Sequence, residues 1–142
     1  MMNLLRFYIL LKDEEYLKLY EKSIEYFNIY LKKAPSAVPE MLCSLKQYSK
    51  PGKTIIILYS SENDLNENLN EYLKIIHSKY LPDKSIIFWN KKNSNVDEFW
   101  TNKLDFMKNA KLMNDKTTVY VCENFTCQLP VNSIEEFQKI FV

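Results

Sequence analysis

The stretch Thr54-Ile55-Ile56-Ile57-Leu58-Tyr59 constrains this chain more than any other. It is a continuous β-branched and aliphatic run with no polar alternation. Such a run reads as a strand buried on both faces, the pattern of a parallel sheet covered by helices. Ser85-Ile86-Ile87-Phe88-Trp89 is a second run of the same kind, and Thr117–Cys122 a third. Helical spacing lies between them. Leu65, Leu69, Tyr72, Leu73 and Ile76 share one face of a helix predicted over 65–80. A weaker helical segment starts near Val96, with Phe99, Trp100, Leu104, Phe106 and Met107 available to pack, and 110–115 reads as loop. Strands alternating with helices predict a small parallel sheet joined by crossovers.

Upstream of this the pattern is helical only. Residues 3–11 are apolar at helical spacing, Asp13 is a plausible N-cap, and Leu17, Tyr20, Ile24, Phe27 and Leu31 repeat at 3-4-3-4 spacing over 14–32. Tyr16, Leu19, Tyr26 and Tyr30 widen that face well beyond one stripe, so the helix expects neighbours on more than one side. A third helix over 38–48 begins at Pro39 and carries Met41, Leu42 and Leu45 as its core side, with Cys43 also expected in the core. Ser49–Lys53 ends it in a turn. The predicted organisation is a helical hairpin plus connecting helix over 1–50 and a small α/β domain over 51–142. The fold class is α/β: two to three N-terminal helices, then a three-layer βαβαβ unit with a parallel sheet and a short antiparallel hairpin strand. A terminal helix over 133–141 opens on Asn132-Ser133 with Glu135 and Glu136 in its first turn.

Composition narrows the function classes. The chain has 142 residues, 46% of them hydrophobic, with 19 basic and 18 acidic side chains that nearly cancel. That balance gives no global pull toward nucleic acid or a membrane surface. No apolar run is long enough to span a bilayer, and the first residues lack the pattern of a signal peptide, so a cytoplasmic location is the default. Gly52 is the only glycine, which leaves neither a P-loop nor a dinucleotide fingerprint. His77 is the only histidine, so a site needing two or three cannot be built within one subunit. No metal site and no cofactor is expected. Three cysteines imply no disulfide framework.

The remaining chemistry gathers near the end of the chain. Cys122 and Cys127 enclose Glu123-Asn124-Phe125-Thr126. Residues flanking a four-residue hairpin loop face each other across the strand pair, with Cα atoms roughly 4.5–5.5 Å apart. A disulfide can span that distance. The pair reads as two small buried thiols, as a redox or disulfide couple, or as half of a metal site. Parallel sheets bind ligands beyond the carboxyl ends of their strands. On that analogy Ser60, Ser61, Asn90, Glu123 and Asn124 form candidate ligand loops, though ordinary turns have the same composition. No set of residues points to a catalytic reaction.

The segment Thr117-Thr118-Val119-Tyr120-Val121-Cys122-Glu123-Asn124-Phe125-Thr126-Cys127-Gln128-Leu129-Pro130-Val131 resembles the C-terminal signature of the YyaL-type thioredoxin-domain proteins, a family that includes the spermatogenesis-associated members. Ala34–Leu42 and Lys53–Leu58 look like the preceding segments of the same region. The resemblance implies a much longer protein, with an N-terminal thioredoxin-like domain and an α/α toroid similar to N-acylglucosamine epimerases. This chain would match only the last toroid helices and the small α/β unit after them. The thioredoxin-like active motif has no counterpart here, so no catalytic residue carries over. The expected function is a non-catalytic accessory or interaction domain that self-associates or joins a larger protein supplying the missing domains. The alternatives are a thiol redox or disulfide-bearing module using Cys122 and Cys127, and a small-molecule-binding α/β domain.

Overall fold

The computed structural model describes residues 1–123 and 126–141, and the backbone alone at 62–65 and 67. The chain divides into two units, Met1–Pro51 and Gly52–Val142.

The helical unit holds α1 (Met2–Leu11), α2 (Glu14–Lys33) and α3 (Pro39–Ser49), with a short 3-10 turn at Pro35–Ala37. Lys12 turns the chain in the left-handed region at φ 57°, and the Asp13 carboxylate then accepts from Glu15 N–H at 3.0 Å. Acidic Glu14 and Glu15 open α2 and basic Lys32 and Lys33 close it, which suits the helix dipole. The core is small: Leu5, Ile9 and Tyr20, with half-buried Leu4, Tyr8, Leu17 and Ile24 around them. Tyr20 sets its hydroxyl 3.4 Å from Ser44 Oγ; burial pushes the phenol pKa up, and that hydrogen bond partly offsets the rise. This corrects the expected inner side of α3. Ser44 and Gln47 are its buried residues, Leu42 is 41% exposed, and Cys43 is exposed. Turning α3 so that Ser44 meets the Tyr20 hydroxyl rotates Leu42 and Cys43 outward.

The α/β unit runs β1 (Thr54–Tyr59), α4 (Glu62–Ser78), β2 (Ser85–Asn90), α5 (Ser94–Lys103), a 3-10 turn at Asp105–Met107, β3 (Thr118–Glu123), β4 (Thr126–Cys127) and α6 (Ile134–Phe141). The sheet order is β2-β1-β3-β4. β1 and β2 are parallel, with Thr54 opposite Ser85 and Tyr59 opposite Asn90. The expectation of a third parallel strand is corrected: β3 runs antiparallel to β1, with Leu58 opposite Thr118 and Thr54 opposite Cys122.

The reason lies in 104–117. Met107 Sδ is 3.5 Å from Cys127 Sγ, and Cys127 pairs with Cys122, which pairs with the first residue of β1. From there the chain climbs beside β3, as the Tyr120 hydroxyl donating to Lys111 O and the Met113 N–H donating to Thr118 Oγ1 record. At Asn114 and Asp115, both at positive φ (53° and 55°), it reverses within a bridge between Met113 and Lys116. Two consecutive positive φ values make the tight turn that suits antiparallel strands, and Asn and Asp tolerate them best after glycine. β3 therefore starts at the carboxyl end of β1 and descends.

The sheet is covered on both faces. Ile55, Ile57, Val119 and Val121 point to a core that includes Tyr72 and Ile76 of α4 and Phe137 and Phe141 of α6. Ile56 and Leu58 lie in register with Ile87, Trp89, Tyr120 and Thr118 on the other face. The 104–113 segment lies along that face, and its Leu104, Met107 and Ala110 are buried. β2 is an edge strand, so the expectation of full burial fails for it: Phe88 is 40% exposed.

Gly52 opens the α/β unit against the next turn. A Cβ there would fall inside the Asp83 backbone carbonyl, in the segment where Ser85 N–H donates to Lys53 O. Gly52→Ala is therefore expected to destabilise this unit by roughly 1–3 kcal/mol, the usual cost of overpacking, measured as a lower urea midpoint at unchanged m-value. An unchanged midpoint would show that the close approach is not required.

Candidate functional site

The residues singled out in the sequence do not converge on one place. Ser60 and Asn90 follow or end β1 and β2 at their carboxyl ends, and Ser61 comes next in the loop. Glu123 ends β3 opposite Thr126, beyond the pair formed by Cys122 with Thr54, and so lies at the opposite edge of the sheet. The antiparallel direction of β3 separates them. Asn124 lies outside the described residues. His77 is exposed near the end of α4. Among the described residues no group of three or more His, Cys, Asp or Glu side chains gathers as a metal site, and no helix is long and apolar enough to cross a membrane.

At the carboxyl edge the polar groups serve the fold. Asn90 Oδ1 accepts from Lys92 N–H at 3.0 Å and Asn93 N–H at 3.3 Å, and Asn93 in turn caps α5 by accepting from Val96 N–H. Asp97, in the first turn of α5, accepts from Trp89 Nε1–H at 2.7 Å and forms an ion pair with Lys91. Lys91 Nζ also sits 4.5 Å from the centre of the Trp89 ring. Trp89 is fully buried, so its indole N–H needs this acceptor. The Trp89–Lys91–Asp97 network fastens α5 to β2. Sequence reading missed it, although a strand-terminal Trp followed eight residues later by an acidic helix N-terminus was the available signal.

At the amino edge, Cys122 and Cys127 are joined in a disulfide with Cα atoms 3.9 Å apart. They are directly opposite across β3 and β4. Gln128 N–H donates to Val121 O at 2.9 Å, which makes the neighbouring cysteines the non-hydrogen-bonded, closer pair. Cys122 is 2% exposed, whereas Cys127 is half-buried.

The helical unit presents a different surface. Tyr20 is the one described residue of α2 that is fully buried, and every residue of 25–30 is exposed. Leu19, Tyr26, Ile29 and Tyr30 are each at least half exposed, Tyr26 at 78%. Tyr26 packs edge-on against Phe27, and Phe27 lies 6.2 Å from Tyr30. Tyr16, from the same sequence stripe, is instead half-buried against Phe7. An open groove of about 600 Å³, lined among others by Arg6, Phe27, Glu40 and Met41, borders this surface at Phe27.

No protein-family model matches the chain, and no solved structure does. The sequence is similar to spermatogenesis-associated protein 20 of Rattus norvegicus, 26% identical over 138 residues that cover 97% of this chain and 17% of the relative. It is 26% identical to the human protein of that name over 114 residues, 80% of this chain and 14% of the relative. An uncharacterised protein of Caenorhabditis elegans is 25% identical over 139 residues, 98% of this chain and 18% of the relative. The chain thus spans less than a fifth of the length of these relatives. Low in identity but running over most of the chain, the similarities support a relation to spermatogenesis-associated protein 20.

The network at Asp97 has a measurable consequence. Asp97→Ala leaves the buried Trp89 N–H without its acceptor. The expected loss is about 1–3 kcal/mol, the cost of an unsatisfied buried donor, read in urea unfolding. Lys91→Ala leaves that bond in place and is expected to cost well under half as much.

Proposed function

We propose that this chain is a non-catalytic interaction domain whose helical unit docks onto further helices through the exposed face of α2. The observation that carries the reading is the imbalance within that helix: twenty residues long, with Tyr20 buried and Leu19, Tyr26, Ile29 and Tyr30 turned to solvent. A helix gains most of its stability by burying an apolar face, and this one leaves a second face uncovered. Contiguous exposed apolar surface of this kind marks contact sites.

The covering helices belong to the rest of a longer polypeptide of the YyaL-type family, or to a second copy of this chain. The length of the relatives supports the first source, since more than four-fifths of each lies beyond the region matched. In that arrangement α1 and α2 are the last hairpin of an α/α toroid, and the α/β unit is a compact appendage. A cytoplasmic setting is the default for such a chain, and thiols there are kept largely reduced.

Light scattering and a hydrophobic dye test the reading. The isolated chain is expected to self-associate reversibly or to bind the dye strongly. Tyr26→Ser with Tyr30→Ser is expected to abolish either behaviour while changing stability by only about 0.5 kcal/mol, as surface substitutions do. A monodisperse chain that binds no dye, before and after substitution, would sink the proposal.

A further inference from the structure

We propose that Cys122–Cys127 is a reversible thiol–disulfide site, in which Cys127 exchanges with an external thiol and Cys122 is the buried resolving partner. The inference is independent of the docking role of α2. It rests on where the two sulfurs sit and on what holds the hairpin besides their bond.

Access differs between the two. Cys122 lies on β3 between Thr54 and Cys127 and is 2% exposed. Cys127 lies on β4, the outermost strand among the described residues, and is half-buried between exposed Thr126 and Gln128. An incoming thiolate therefore meets Cys127 first.

The hairpin does not depend on the disulfide. Val119 N–H donates to Val131 O at 2.7 Å, Val131 N–H donates to Val119 O at 3.1 Å, and Gln128 N–H donates to Val121 O at 2.9 Å. These bonds close the same loop from outside the cysteine pair. They also hold the chain that leads into α6, whose Phe137 and Phe141 are core residues. The disulfide itself closes a loop of only four intervening residues, so it restricts the unfolded chain little compared with a long-range bridge. After reduction the two thiols remain opposite each other on paired strands, a geometry that makes reclosure effectively unimolecular.

The reduced state has a place for its hydrogen. Cys127 Sγ lies 3.5 Å from the Sδ of buried Met107. In the disulfide this is a contact between two sulfurs without a hydrogen. A reduced Cys127 can donate its S–H to the thioether of this buried residue. Both redox states are thus accommodated without moving the 104–113 segment.

The step is ordinary thiol–disulfide exchange. A thiolate of a dithiol reductant attacks Cys127 Sγ, forming a mixed disulfide and releasing Cys122 as thiolate. The second thiol of the reductant, once deprotonated, displaces Cys127 and closes the reductant's own disulfide. Two electrons and two protons pass from the dithiol to the two cysteines, and oxidation by a disulfide of the same class reverses every bond change.

The test uses the full chain with dithiothreitol as the dithiol and glutathione disulfide as the oxidant, read by alkylation and mass spectrometry. Without reductant, after air oxidation, only the exposed Cys43 is expected to take label. Under native conditions dithiothreitol should open Cys122 and Cys127 to label, and its removal should close them. Hydrogen exchange at 126–128 should rise about tenfold on reduction, as for a local opening, with α6 unchanged. For the order of attack, the Cys122→Ser chain should form a glutathione adduct at Cys127 readily, and the Cys127→Ser chain should resist one at Cys122. Reduction only after denaturation, loss of protection in α6 along with the hairpin, equal adduct formation in the two variants, or cysteines that never pair in air would each overturn the proposal.

Discussion

β1 is the strand on which the α/β unit depends. Ile55, Ile56, Ile57 and Leu58 are all fully buried, so both faces must be covered and both edges paired. Burying one such side chain contributes roughly 1.5–3 kcal/mol. That gain is available only if α4 and α6 close one face and the 104–113 segment closes the other. The irregular segment is therefore part of the core. It supplies Leu104, Met107 and Ala110 as a third layer, and its upward course fixes the direction of β3.

This dependence explains what the sequence disclosed and what it withheld. Periodicity is local, so the helices and the three strand runs were legible with boundaries close to those observed. The apolar run at Thr54–Tyr59 announced its two-sided burial directly. Strand direction is not local. It depends on which edge of the sheet receives the chain, and here that is settled by positive φ at Asn114 and Asp115. The dipeptide was a readable turn signal, but the weak patterning around it gave no reason to place a reversal there. Phe88 failed for a related reason: apolar content does not distinguish a central strand from an edge strand. In α3 the buried residues are Ser44 and Gln47, and Ser44 meets the Tyr20 hydroxyl, a long-range pairing that helical spacing does not reveal.

The candidate site divides along the same line. The facing cysteines were legible because pairing across a short hairpin follows from spacing alone. The ligand-loop grouping rested on the premise that every strand ends at one edge, which the antiparallel course of β3 does not meet. With β3 reversed, Ser60 and Asn90 lie at the edge that carries the Trp89–Lys91–Asp97 network, and Glu123 lies at the cysteine edge. The first edge is tightened by structural hydrogen bonds. The second carries the Cys122–Cys127 disulfide.

The two units differ in how completely they satisfy themselves. In the α/β unit each face of the sheet has its layer, and the buried Trp89 and Thr118 polar groups have partners. In the helical unit the apolar core is three buried residues, and the Gln47 side-chain oxygen is buried without a described hydrogen-bond partner. A buried acceptor without a described partner and an aromatic face open to solvent thus occur in the same small unit. The capped and well-charged ends of α2 keep that helix formed while its second face stays open, so its stability does not rest on burial of that face.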